Sequence, residues 1–413
     1  MDRQFRILVL LFLLVSISAH AAREDRGWVK IKAPNKKTRD QIAELGVSIE
    51  ATASDYVMGI ATHDETEMLK KLGLLLETRP LDQISSLDFP NEDMAFRNYA
   101  ELSNDLKKWA EQNPDIVHFE SIGKSVEGRD IWKIRLSTDL AQADSKPGIV
   151  FMGGHHAREH ISVETPLKLA ERLINGYKNG DAEIRRLLQT RDIHIIPIVN
   201  PDGKEHDIST GDYKFWRKNR ATINNAKQGV DLNRNYSYGW GGGGASSDPR
   251  SDTYRGPGPF SEPETQAIKK FIEVQHNISI LLSFHTFSEL ILYPWGHTDD
   301  RIGDQRDYLV HKTMAETMAQ WNSYTPQQSS ELYIASGDTT DWSYGAHKII
   351  SFTFELDPSS MFEGGFYPGA SKIDVVAEKN WRPCLYLMDL ADNPYRVLEP
   401  THARYGLNSA LIQ

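Results

Sequence analysis

Apolar and polar positions change rhythm along the chain. Within residues 27–78 the alternation is short: runs at 28–31, 47–53, 56–61 and 74–76 predict strands, and residues 38–45 and 65–72 predict helices. The order βαββαβ predicts a small α+β module. Ser, Asp and Pro are then concentrated over residues 80–93, which predicts a linker and a candidate processing site. From about Met94 the units lengthen. Tyr99, Leu102, Leu106 and Trp109 keep a helical spacing until Asn113-Pro114 stops it. Buried strands are predicted at 131–136, 149–152, 193–199, 278–284 and 349–354. Helices are predicted at 163–174 and 267–273, the second opened by Ser261-Glu262-Pro263-Glu264, read as a capping box. Strands alternating with helices predict an α/β fold: a mixed, largely parallel twisted sheet with helices on both faces, preceded by the small α+β module.

Composition narrows the possibilities. The chain has 413 residues, 39% hydrophobic and 25% charged, enough for one large domain and a smaller one, with no disordered or fibrous bias. Its 47 Lys+Arg against 57 Asp+Glu give a net charge of -10, so no positive field is available to hold nucleic acid. Arg3 and Arg6, an apolar run over residues 7–17 and Ala19-His20-Ala21 predict a cleavable signal peptide, and hence a secreted protein. That run is about half of the ~20 apolar residues a membrane anchor needs. The single cysteine, Cys384, allows neither an intramolecular disulfide nor a thiolate metal site and is read as packing within a helix over 376–390, where Pro383 is expected to bend or restart it. Gly241 to Gly244 lacks the Lys-Ser/Thr of a phosphate loop and reads as a flexible surface turn.

Candidate chemistry gathers where buried strands end. Residues 148–152 run into Gly153-Gly154-His155-His156-Ala157-Arg158-Glu159-His160, and open α/β sheets place their sites at such carboxyl ends. The H-x-x-E spacing alone reads equally well as a charged turn. Two further strands, ending in His285 and Glu355, shift the balance. Two imidazoles and one carboxylate suit Zn²⁺ with a fourth position open to water, and a second carboxylate outside the coordination sphere can take a proton from that water.

These segments resemble the zinc metallocarboxypeptidases, the family of carboxypeptidases A, B and T, over roughly residues 95–393. Gly154-His155-His156-Ala157-Arg158-Glu159 is similar to the family's H-x-R-E segment, and Ser283-Phe284-His285 to its third-ligand strand. The resemblance implies His156, Glu159 and His285 as ligands of one Zn²⁺, the set known for carboxypeptidase A. It implies Arg158 for peptide binding and, in Phe215-Trp216-Arg217-Lys218, Arg217 to polarise the scissile carbonyl. Asp231-Leu232-Asn233-Arg234-Asn235 supplies Asn233 and Arg234 for the terminal carboxylate. Tyr333 corresponds to the mobile tyrosine, and Glu355, in Phe352-Thr353-Phe354-Glu355-Leu356, to the catalytic glutamate. Asn200-Pro201-Asp202-Gly203 and the segment 259–265 are further signatures. A planar carboxylate suits the rigid fork of an arginine, so the site is that of an exopeptidase. Glu355 would deprotonate the zinc-held water and then protonate the leaving amine, and Asp231 would orient His156 from outside the metal sphere. His155 and His160 are expected to pack or to lie at the surface.

The implied organisation is a signal peptide at 1–21, a propeptide at 22–90, a catalytic domain at 91–395 and a tail at 396–413. The partners expected are peptides or proteins with a free C-terminus and the chain's own propeptide as intramolecular inhibitor, in a monomer. By the same resemblance, Asp338 and Thr340 map to the pocket for the leaving residue, where they are similar to carboxypeptidase T, which implies acceptance of both hydrophobic and basic residues. Two alternatives stand beside this reading: a peptidoglycan stem-peptide carboxypeptidase, and an inactive peptide-binding homologue.

Overall fold

Strand β1 (Arg26–Lys32), helix α1 (Lys36–Glu44), strands β2 (Ser48–Thr52) and β3 (Tyr56–Thr62), helix α2 (His63–Lys71) and strand β4 (Leu75–Pro80) form the small module in the expected order. The computed structural model describes residues 26–80, 93–209 and 213–399; the predicted signal peptide at 1–21, residues 81–92 of the predicted linker and residues 400–413 of the predicted tail lie outside the described residues. The four strands pair antiparallel in the order β2-β3-β1-β4. Both helices start from side-chain caps: Asn35 accepts from Thr38 N, and Thr62 and Glu65 form a reciprocal capping box. Val29, Ile31, Ile42, Val57 and Leu69 fill the core between sheet and helices.

The larger unit follows as α3 (Tyr99–Gln112), β5 (Val117–Lys124), β6 (Asp130–Leu136), β7 (Gly148–Met152), α4 (His160–Asn179), α5 (Ala182–Thr190), β8 (Asp192–Ile196), α6 (Pro201–Ile208), α7 (Pro263–Val274), β9 (Ile278–Thr286), β10 (Leu290–Tyr293), α8 (Gln305–Asn322), β11 (Thr325–Gln328), α9 (Thr339–His347), β12 (Ile350–Leu356) and α10 (Ile373–Leu390). Its sheet has the order β11-β10-β12-β9-β7-β8-β6-β5. The centre, β12-β9-β7-β8, is parallel, and antiparallel pairs flank it. Alternate residues of one strand feed opposite cores: Ile149 and Phe151 pack with Leu167, Leu173, Met314 and Leu387, whereas Val150 and Met152 pack with Ile268, Phe271 and Trp342. Helices thus cover both faces of the sheet.

Several local expectations are corrected. The predicted capping box before α7 does not form: Glu262 is the N-cap, Pro263 occupies the first turn, and Glu264 accepts instead from Val126 N at 3.0 Å and Asn219 Nδ2 at 3.1 Å. A tertiary partner displaces the local one. The Gly241–Gly244 run is a surface turn at Gly241 and Gly242, but its end is anchored: Gly244 is buried with φ +68° and an added Cβ would lie 1.8 Å from Ile334 O. Pro383 neither ends nor restarts α10, which runs continuously past it, and Cys384 is buried. Strands β5, β10 and β11 escape the sequence pattern. β5 is a largely exposed edge, β10 has four residues, and β11 (Thr-Pro-Gln-Gln) becomes a strand through its parallel pairing with β10.

At the end of the sheet away from the strand termini that carry the candidate ligands, Asp192 locks three elements. Its carboxylate accepts from Arg135 Nε (2.6 Å) and Nη2 (2.7 Å), Asn277 Nδ2 (2.8 Å) and His194 Nε2 (3.0 Å). The Asp192 side chain is fully buried. Asp192→Ala leaves Arg135 only the exposed Asp144 and removes the acceptor of Asn277 and His194, and is expected to cost about 3 kcal/mol, read as a lower urea midpoint with zinc stoichiometry unchanged. An unchanged midpoint would show that the clamp is idle.

Candidate metal centre

The turn after β7 is built for close approach. An added Cβ at Gly153 would lie 2.0 Å from Ser162 O, and Gly154 has φ +63°. His156 follows, and Glu159 is the residue that caps α4. His285 comes from β9 and Glu355 from β12, both inside their strands; the two strands pair in parallel with Glu355 directly beside His285. Main-chain hydrogen bonding therefore sets the spacing between a candidate ligand and the candidate base.

One potential ligand atom from each of His156, Glu159 and His285 lies within 4.8 Å of the other two. His156 Nδ1 is 2.7 Å from Glu159 Oε1, His285 Nδ1 is 3.1 Å from Glu159 Oε2, and the two Nδ1 atoms are 3.2 Å apart. The outer nitrogens have other partners: His156 Nε2 is 3.2 Å from Asp231 Oδ1, and His285 Nε2 is 3.1 Å from Ser283 Oγ. A carboxylate that only accepts fixes His156 as the Nε2–H tautomer and leaves Nδ1 bare toward the cluster. All three side chains are buried, and the donor set fits Zn²⁺. Burial opposes ionisation of Glu159, but His156 and His285 outweigh it and hold its carboxyl well below the usual range. Glu355 shifts the other way: burial, then Glu159, push it well above the ordinary carboxyl value against Arg217.

Of the remaining predicted residues, Arg217, Asn233, Arg234, Tyr333 and Glu355 line the cleft, whereas Arg158, Asp338 and Thr340 do not. Arg217 donates from Nε to Asp231 Oδ2 at 3.0 Å, so one aspartate braces both a candidate ligand and an arginine. Arg234 donates from Nε to Gly244 O (3.0 Å) and from Nη1 to Asn233 O (2.8 Å), which fixes its guanidinium plane. His156, Glu159, Arg217, Asn233, Arg234, Tyr333 and Glu355 line one cleft. Asp338 caps α9, accepting from Asp341 N at 2.8 Å, and Thr340 Oγ1 is 2.6 Å from Thr353 Oγ1. Arg158 is fully buried beneath the cleft, with Asp252 at 2.9 Å and Phe215 O at 3.2 Å. His155 and His160 are both buried: burial lowers the His155 ring well below its ordinary value, and His160 lies between Asp207 Oδ2 (3.1 Å) and Lys204 Nζ (3.0 Å).

The sequence reading missed the lining contributed by the small module. Glu50 of β2 pairs with Arg158 Nη2, and its other oxygen is 3.9 Å from Arg217 Nη1. Tyr333 donates its hydroxyl to Ile49 O at 3.4 Å. Arg39 donates to Leu332 O (2.6 Å) and Glu331 O (2.9 Å), while Trp28, Met58 and Ile60 join Phe215, Phe287 and Phe366 in one apolar cluster. Nothing in the local sequence marks Glu50 or Asp252, because each acquires its partners only when distant segments pack.

The zinc carboxypeptidase family model matches residues 102–383. A zinc carboxypeptidase of Saccharothrix mutabilis subsp. capreolus is 34% identical, over 87% of this chain and 88% of the relative. Carboxypeptidase A1 of Homo sapiens is 33% identical, over 79% of this chain and 81% of the relative. Among solved structures, the carboxypeptidase A of Helicoverpa armigera superposes with a TM-score of 0.74 at 25% identity, covering 89% of this chain and 98% of that one. The chain belongs to the zinc carboxypeptidase family. It is a metallocarboxypeptidase, a hydrolase whose cofactor is zinc.

Because Asp231 sets the His156 tautomer, Asp231→Asn is expected to weaken zinc binding about 10- to 100-fold, measured by competition with a chelator of known affinity. Unchanged affinity would remove Asp231 from the metal site.

Proposed function

We propose that this protein is a secreted zymogen that hydrolyses the C-terminal peptide bond of peptides and proteins, with a broad preference for hydrophobic and basic terminal residues. The observation that carries the reading is the sharing of one cleft by His156, Glu159, Glu355, Asn233 and Arg234, with His285 clustered against His156 and Glu159. Arg234, with Nε and one Nη1 hydrogen committed to carbonyls, keeps Nη2 and the second Nη1 hydrogen for an anion, which matches a free terminal carboxylate. Bound by His156, Glu159 and His285, Zn²⁺ supplies Lewis acidity toward water and the scissile carbonyl. Glu355 accepts a proton from the attacking water on its carboxylate and returns it to the leaving amine. Arg217, braced by Asp231, meets the negative charge that develops on the carbonyl oxygen.

The zymogen reading is supported by the position of the small module. Ile49, Glu50 and Thr52 line the cleft, Glu50 satisfies Arg158, and Tyr333 is drawn to Ile49. The space left among these side chains holds a few waters. The reading therefore assigns the module as the intramolecular inhibitor within residues 22–90, released by a cut in the linker. Secretion rests on the N-terminal segment; among the described residues no helix is long and apolar enough to cross a membrane. We assay zinc-loaded protein intact and after limited proteolysis on peptides ending in Leu or Arg. Trimming is expected to raise turnover at least about tenfold, the weight of one displaced charge-assisted contact. Equal activity would refute the zymogen.

Dual specificity rests on Asp338. Burial, then its neighbour Asp341, push its carboxyl up to about 7. Below that value it is neutral and above it anionic, so the ratio of kcat/KM for C-terminal Arg over Leu is expected to rise as pH rises through about 7. Asp338→Ala should flatten that profile and lower the Arg rate about tenfold, the weight of a charged hydrogen bond, while the Leu rate holds. Equal losses for both substrates would exclude Asp338 from specificity.

A further inference from the structure

Asn233 lines the cleft through a side chain whose orientation is imposed from behind. Its Oδ1 accepts from Thr339 N at 3.0 Å and from Thr339 Oγ1 at 2.9 Å. A main-chain N–H can only donate, so the oxygen must face Thr339, and the Nδ2 hydrogens are turned away from it. That amide face can donate to a carboxylate. The reversed amide would set Nδ2 against an N–H and offer an anion an oxygen.

Behind Thr339 stands His155. Its Nε2 lies 3.0 Å from Thr339 Oγ1 and 2.9 Å from Tyr236 Oη. The threonine hydroxyl has one hydrogen, already given to Asn233, so toward His155 it can only accept. Nε2 must therefore carry a hydrogen, which makes Nδ1 the bare nitrogen. The same conclusion follows from the other side of the ring, where buried Nδ1 has no hydrogen-bond partner. An unpaired acceptor is tolerated in a protein interior more readily than an orphaned N–H. The His155 carbonyl is also pinned, accepting from Asn200 Nδ2 at 3.1 Å.

We propose that His155 is a positioning residue that acts through Thr339 to hold the Asn233 amide with its hydrogens toward the substrate's terminal carboxylate. Polarity runs in one direction along the relay: His155 Nε2–H to Thr339 Oγ1, Thr339 O–H to Asn233 Oδ1, Asn233 Nδ2–H to the anion. Tyr236, beside Nε2 and also hydrogen-bonded to Thr339, closes the relay against Trp342 and Phe260. The inference deepens the exopeptidase reading and rests on its assignment of Asn233 to the carboxylate.

The test uses zinc-loaded protein, proteolysed as above, as wild type, His155→Leu, His155→Gln, Thr339→Val, Thr339→Ser and the His155→Leu/Thr339→Val double variant. Readouts are kcat and KM for a peptide ending in Leu, zinc content, and the inhibition constants of 3-phenylpropionate and 3-phenylpropionamide. The inference expects His155→Leu and Thr339→Val each to raise KM about fivefold, the weight of one net hydrogen bond, with kcat and zinc content kept. The preference for carboxylate over amide inhibitor should shrink by the same factor. Gln, whose Nε2 replaces the ring donor, and Ser should restore both, and the double variant should lose no more than either single one. Unchanged KM and inhibitor preference, fully additive losses, or a fall in kcat together with zinc content would overturn the relay. A wild type that turns over peptides without preferring the carboxylate inhibitor would instead refute the role of Asn233, and the relay with it.

Discussion

The parallel ladder joining β7, β9 and β12 is the constraint on which the centre depends. Hydrogen bonding between neighbouring strands sets their separation at about 4.8 Å, and the register puts Glu355 beside His285. The chain leaving β7 then needs one glycine-rich turn to bring His156 and Glu159 to the same edge. Ligand placement is thus a property of backbone pairing, which side-chain motion does not loosen. Helices on both faces bury the strands from Ile149 to Phe354, so the ladder cannot slip without exposing one of two cores.

Around this edge the charges form a connected system. Arg217 and Arg234 line the cleft and Arg158 lies buried outside its lining, and each is held by a carboxylate or a carbonyl. Asp231 serves both His156 and Arg217, so the candidate metal ligand and the arginine beside it share one anchor. Glu50 is the carboxylate in this system that the small module supplies. Buried cations need counter-charges, and in the proposed zymogen Glu50 fills a place that substrate groups take after its departure.

Much of the fold was legible because its signals are local. The βαββαβ order of the module, the central strands and the start of α3 follow from periodicity, and His156, Glu159, His285 and Glu355 were visible as polar groups at the ends of apolar runs. The site residues beyond these came from resemblance to a family. What failed to show was short or borrowed: β11 has no apolar alternation and exists by pairing with β10. The capping motif before α7 was present as letters, but Glu264 found Asn219 and Val126, more than forty residues away along the chain, instead of its own helix start.

By itself, the amino-acid sequence determined the class of fold and, with its family motifs, the candidate ligands, because periodicity and donor type are properties of single segments. Only the tertiary structure decided that Glu50 sits against Arg158, that Gly244 gives its carbonyl to Arg234, and that His155 stands behind Thr339 and Asn233. The first and last of these join residues far apart in the chain, and Gly244 and Arg234, ten residues apart, meet through an irregular loop. Their partners are set by which surfaces the sheet and the module bring together, and a polar side chain carries no local mark of the group it will meet.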